Sequence, residues 1–113
     1  MLDNHAEANI KLIGELANKV WGDNCEIGEV KITNSPFPEF KLPMRLYHKV
    51  DVILTYDRSI LGIALKTAGG NKWVDDLTSQ IIYDGFESCK PENLLHNLQV
   101  LDEVVCDMSK REA

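Results

Sequence analysis

MRLYHKVDVILTY, residues 44–56, carries the reading that decides the fold class. Met44, Leu46, Val50, Val52, Leu54 and Tyr56 share one parity; Arg45, Tyr47, Lys49, Asp51 and Thr55 share the other. Successive side chains of an extended chain point to opposite faces, so this alternation predicts one long strand. One of its faces meets a core and the other meets water, as in an antiparallel sheet. His48 and Ile53 break the pattern, each on the face opposite to its type.

Downstream, Asp57-Arg58-Ser59 suits a turn and ILGIALKT (60–67) a partner strand, with Leu61, Ile63 and Leu65 in register. Gly62 leaves a gap in that strand that a helix or an aromatic ring could fill. Ala68-Gly69-Gly70-Asn71 signals another turn. KWVDDL (72–77) then reads as a fourth strand, and QIIY (80–83) as a weaker fifth. Upstream, CEIGEVKIT (25–33) reads as a single strand. Pro36, Pro38 and Pro43 argue that NSPFPEFKLP (34–43) is a stiff connection and neither helix nor central strand, pinned to the core by Phe37 and Phe40.

Both ends of the chain read as helices. Over residues 4–21, Ile10, Ile13, Ala17 and Val20 recur at spacings of three and four, widened by Leu12 and Leu16, and Gly22 is a stop signal. Over 91–110, Pro91 suits the first turn, and Leu94, Leu98, Leu101, Val105 and Met108 form the apolar stripe. Helix, strands joined by short turns, helix: this order predicts a single α+β domain over residues 1–113. It is expected to be a two-layer sandwich, a mainly antiparallel sheet of four to five strands with the N-terminal and C-terminal helices packed on it.

The chain has 113 residues, ordinary for one core, and a formal net charge of −6. An acidic balance disfavours direct nucleic-acid binding and a polybasic membrane contact. No apolar run reaches the length of a bilayer span, and MLDNHAEANIKLIGEL lacks the basic start and apolar centre of a signal peptide. Cys25, Cys89 and Cys106, odd in number and widely spaced, fit reduced thiols in a cytoplasmic protein better than a disulfide framework.

The acidity is concentrated. Between Trp73 and Ser109 stand eight acids and one base, Lys90, a local charge of −7; the remainder is near neutral at +1. Within that third, Asp75, Asp76, Asp84 and Glu87 are interleaved with Trp73, Tyr83 and Phe86. Rings supply buried area and carboxylates steer a basic partner, so Trp73, Asp75, Asp76, Tyr83, Asp84 and Glu87 form the candidate partner-binding set. Acidic outer faces also serve solubility alone, and Trp73 is open to a second reading as a core residue. Arg45, Tyr47 and Lys49, on one parity of 44–56, make an alternative partner-binding face.

Signals for catalysis, cofactors and metals are weak. His5, His48 and His96 lie far apart in sequence and none has metal-ligand spacing to a cysteine or carboxylate. Asp75 and Asp76, read as neighbours on a strand, point to opposite faces. Gly69-Gly70 is not followed by a phosphate-loop motif. The expectation is a binding protein, not an enzyme, with no cofactor and no metal.

In size, acidity and element order, and in the hairpin LTYDRSILGIALKT followed by GGNKWVDDL, the chain resembles bacterial immunity proteins of contact-dependent growth inhibition and other polymorphic toxin systems. That resemblance implies a cytoplasmic toxin inhibitor whose partner is a cognate protein toxin, a basic nuclease in many such systems. Inhibition would come from covering the active site or substrate groove, with carboxylates standing in for phosphates. The alternative is an acidic secretion chaperone, a homo-oligomer that holds an extended effector segment in apolar grooves along its sheet.

Overall fold

The computed structural model describes residues 4–33, 39–57, 60–80, 82–83 and 85–112. In chain order the elements are helix α1 (Asn4–Trp21), strands β1 (Cys25–Ile27), β2 (Lys31–Thr33), β3 (Glu39–Leu46), β4 (Val50–Asp57), β5 (Ile60–Thr67) and β6 (Gly70–Trp73), and helix α2 (Pro91–Glu112). Single 3₁₀ turns follow α1 at Gly22–Asn24, follow β6 at Val74–Asp76, and precede α2 at Gly85–Cys89. The sheet runs β1-β3-β4-β5-β6, with β2 also on β3, and every pairing is antiparallel. This is the expected α+β sandwich, with six strands instead of four to five.

One face of the sheet is the core. Phe40, Leu42, Met44 and Leu46 of β3, Val52, Leu54 and Tyr56 of β4, and Leu61, Ile63 and Leu65 of β5 are all buried. Against them lie Ile13, Ala17 and Trp21 of α1 and Leu94, Leu98, Leu101 and Val105 of α2. Phe40 and Tyr56, directly paired across β3 and β4, stack with centroids 4.9 Å apart and planes 6° from parallel. α1 stops where Gly22 takes φ +55°, the left-handed position that ends many helices.

The predicted strand 44–56 is a hairpin. β3 ends at Leu46 and β4 begins at Val50, with a turn at Tyr47-His48-Lys49 closed by Lys49 N–H donating to Leu46 C=O at 3.1 Å. Tyr47 and His48 both have positive φ, 55° and 60°, as in the primed turns that fit strand twist. No glycine or asparagine advertises the turn. Leu46 pairs with Val50, a separation of four residues, so both strands keep their core side chains on even numbers and the parity is the same on either side of the turn. His48, read as core-facing, instead stands at the exposed tip, 3.4 Å from Glu26.

Pro43 lies inside an interior strand, which corrects the reading of 34–43 as a connection throughout; residues 34–38, with Pro36, Phe37 and Pro38, are outside the described residues. Ile27 pairs with Met44 and Lys31 with Lys41, so three residues of the first edge oppose two of β3. That is a β-bulge. It divides the predicted strand 25–33 into β1 and β2. Gly28 N–H donates to Pro43 C=O at 2.8 Å, so the side on which Pro43 has no N–H faces the bulge, where no regular ladder bond is needed. A Cβ on Gly28 would come within 3.0 Å of the Pro43 ring, which explains glycine there.

At the other edge, β6 occupies Gly70–Trp73 and the chain then turns into the 3₁₀ segment, so the predicted strand 72–77 is shorter and earlier. Gln80, Ile82 and Tyr83 are not in a strand. The turn read at Asp57–Ser59 falls partly on residues 58 and 59, outside the described residues, although Asp57 and Ile60 on either side are paired.

A single carboxylate ties the layers together. Asp102 Oδ1 on α2 accepts from Trp21 Nε1–H at the end of α1 (2.8 Å) and from the Tyr47 hydroxyl in the β3–β4 turn (2.5 Å). This contact, with burial adding to it, holds the Tyr47 phenol well above its ordinary pKa. Asp102→Ala leaves both donors without their acceptor and is expected to cost about 2–3 kcal/mol in denaturant unfolding, with Asp102→Asn losing less. The Tyr47 contact stabilises the fold below the unfolded phenol's pKa of about 10 and is lost as pH rises toward the raised folded value. The stability gap between the wild-type protein and Tyr47→Phe is therefore expected to be constant through neutral pH and to shrink above about pH 10.

Candidate functional site

The acidic third lies where β5 runs out of partners. β6 pairs only with Ala64–Thr67, leaving the first half of β5 without a strand on that side. The segment leading into α2 covers it. Leu61 N–H donates to Ser88 Oγ (2.8 Å), and the fully buried Ser88 hydroxyl donates in turn to Gly85 C=O (2.6 Å). Asn97 on α2, 2% exposed, holds the next stretch at two points: its Oδ1 accepts from Tyr83 N–H and its Nδ2 donates to Tyr83 C=O, both at 2.9 Å. No buried polar side-chain atom among the described residues lacks a partner.

Between the open part of β5 and this segment is a cleft of about 260 Å³. Leu61, Ile63, Val74 and Ile82 supply its apolar lining; Trp73, Tyr83 and Asp75 complete its walls and rim. Trp73 faces out from β6 on the side of the sheet away from the helices, since its pairing partner Ala64 alternates with the buried Ile63 and Leu65. Its ring lies against Gly62: a Cβ there would stand 2.8 Å from Trp73 Cζ3. The gap noted at Gly62 is thus filled by an aromatic ring. Trp73 is nonetheless 48% exposed and Tyr83 38% exposed, which decides between the two readings of Trp73: it is not a core residue. His96 meets the Tyr83 ring edge-on, with centroids 5.3 Å apart.

Of the proposed partner-binding set, Trp73, Asp75 and Tyr83 therefore converge. Asp76 is exposed on the same 3₁₀ turn but outside the cleft lining. Asp75 and Asp76 sit on that turn, not on a strand as read. Glu87 is drawn into an exposed ion pair with Lys90 at 2.8 Å, which also raises the Lys90 pKa. Asp84 lies outside the described residues, as does the Phe86 side chain.

The alternative face does not form. Arg45 points outward from β3, 3.5 Å from Asp51, and Lys49 is exposed in the turn. The Tyr47 hydroxyl instead engages Asp102, so Arg45, Tyr47 and Lys49 do not share one strand face. The strand reading assumed that alternation continued through 47–49; the positive φ values at Tyr47 and His48 end it.

None of the three cysteines is in a disulfide and all are half-buried, and burial pushes the Cys25 and Cys89 thiols above their usual pKa. Among the described residues no group of three or more His, Cys, Asp or Glu side chains comes together as an ion site, and no helix is long and apolar enough to cross a membrane. Sequence reasoning passed over Asn97 and Ser88, the residues that position the cleft. Asn97 left a trace: it follows Leu94 by three and precedes Leu101 by four, so it falls on the helix's buried stripe. Comparison with protein-family models, curated proteins and solved structures finds no match to this chain.

Asn97→Ala is expected to free the Tyr83 backbone, raising amide exchange at residues 82–83 while costing about 1–3 kcal/mol of global stability. Gly62→Ala meets the far end of an exposed ring. It is expected to displace the Trp73 indole, seen as a shifted indole N–H resonance, at a stability cost of no more than about 1 kcal/mol.

Proposed function

We propose that this protein is an immunity protein that binds a cognate toxin domain, a basic nuclease, and inhibits it by covering its active site or substrate groove. The observation that carries the reading is the pairing of two exposed aromatic rings, Trp73 and Tyr83, with Asp75 around one cleft in the acidic third of the chain. Folding does not require large rings to remain exposed, whereas interfaces are enriched in them. Asp75 and the exposed Asp76 beside it give this surface a field that draws in a basic partner.

The second reading, a dimeric chaperone, draws on the sheet's outer face, which no helix among the described residues covers and along which clefts run beside Thr55 and Ile53. It requires a stable dimer that leaves apolar grooves along the sheet open to an extended effector segment. The immunity reading requires no dimer.

The reading expects a toxin domain in a neighbouring open reading frame, and the test is association with that domain. Binding is expected to be salt-sensitive, with the on-rate falling about tenfold or more between low salt and roughly 0.5 M. Charge reversal at Asp75, Asp76 and Asp84 is expected to slow association at low salt by a similar order. An unchanged on-rate in the charge-reversed variant rules out the electrostatic part of the proposal, and failure to protect the nuclease's substrate rules out inhibition.

A further inference from the structure

We infer that the cleft between β5 and Tyr83 is a receptor for one arginine side chain of the partner. This deepens the proposed function and rests on its reading of the surface as a partner-binding one. Four observations converge. The cleft is lined by aliphatic residues, the exposed Ile60 and the half-buried Ile82 among them, suited to the methylene stem of a long side chain. Two aromatic residues, Trp73 and Tyr83, contribute to its walls. The faces of aromatic rings attract cations, and a guanidinium, being planar, also stacks on them. Asp75 stands at the rim as a carboxylate able to accept two parallel N–H bonds from a guanidinium. Among the described residues none that lines the cleft is basic.

The walls are set before any ligand arrives. The two Asn97 hydrogen bonds fix the Tyr83 backbone, and the Trp73 ring is seated on Gly62. A site that is already ordered loses less conformational entropy on binding. An alkyl ammonium would satisfy the charge but neither the stacking nor the forked hydrogen bonding, which favours arginine over lysine.

The protein carries its own control. Of its two indoles, Trp21 donates to Asp102, while Trp73 faces the cleft. Acetyl-arginine amide, titrated to the order of tens of millimolar as expected for so small a ligand, is expected to shift the Trp73 indole and Asp75 amide resonances saturably. The Trp21 indole should stay unmoved, and Trp73→Phe assigns the two peaks. Acetyl-citrulline amide, with the same shape and no charge, is expected to bind at least about threefold more weakly, and Asp75→Asn to reduce arginine binding by a similar factor. Equal shifts with citrulline, joint movement of both indoles, or no shift over the titration overturns the arginine site.

These outcomes separate the site from the function. Loss of the arginine response beside intact, salt-sensitive toxin inhibition discards the site and leaves the immunity reading standing. An arginine response without toxin binding does the reverse.

Discussion

The two helices and the β3–β4 turn meet at one carboxylate oxygen. Asp102 on α2 receives the indole of Trp21, the last residue of α1, and the hydroxyl of Tyr47, a turn residue held at positive φ. Apolar packing between helices and sheet is non-directional and would tolerate some sliding. A shared acceptor for two donors from different elements does not. It fixes the end of α1 and the β3–β4 turn relative to α2, and through α2 it fixes the register of everything that α2 holds. The backbone strain of a bulky residue at positive φ is offset here by the hydrogen bond that Tyr47 donates to Asp102.

The same helix organises the open edge of the sheet. β6 is too short to complete the ladder along β5, and an uncovered edge invites unwanted pairing. The polypeptide covers it with an irregular segment, and such a segment needs polar partners of its own. Ser88 and Asn97 provide them from buried positions. The consequence is a concave surface where a regular strand would have left a flat one. Trp73 and Tyr83 remain partly exposed there, within the region that carries most of the chain's negative charge. A solution to an edge problem thus becomes a shaped, charged and aromatic surface.

The proposed partner-binding set was only partly legible in the sequence. Composition located the acidity and the aromatics, and Trp73, Asp75 and Tyr83 do share a cleft. Spacing did not reveal that Glu87 is engaged with Lys90, or that Tyr47 turns toward α2 and leaves Arg45 and Lys49 without a common face. Those outcomes depend on which distant side chain lies within reach, and no local pattern encodes that.

The sequence by itself determined the class of fold and most of the core, although not Trp21. Two helices with apolar stripes, strands with period-two alternation and glycine-marked turns leave little besides an α+β sandwich, because each buried face must find another. It could not place the turn at Tyr47-His48, since a loop separating paired residues by four preserves parity across the hairpin. It misjudged Pro43, since proline is excluded from an interior strand only where its missing donor is needed, and the bulge opposite removes that need. Both were decided by tertiary structure, as was the cleft. Parity and composition report on one chain segment at a time, whereas a hydrogen-bond partner or an empty ladder position is a property of two segments brought together.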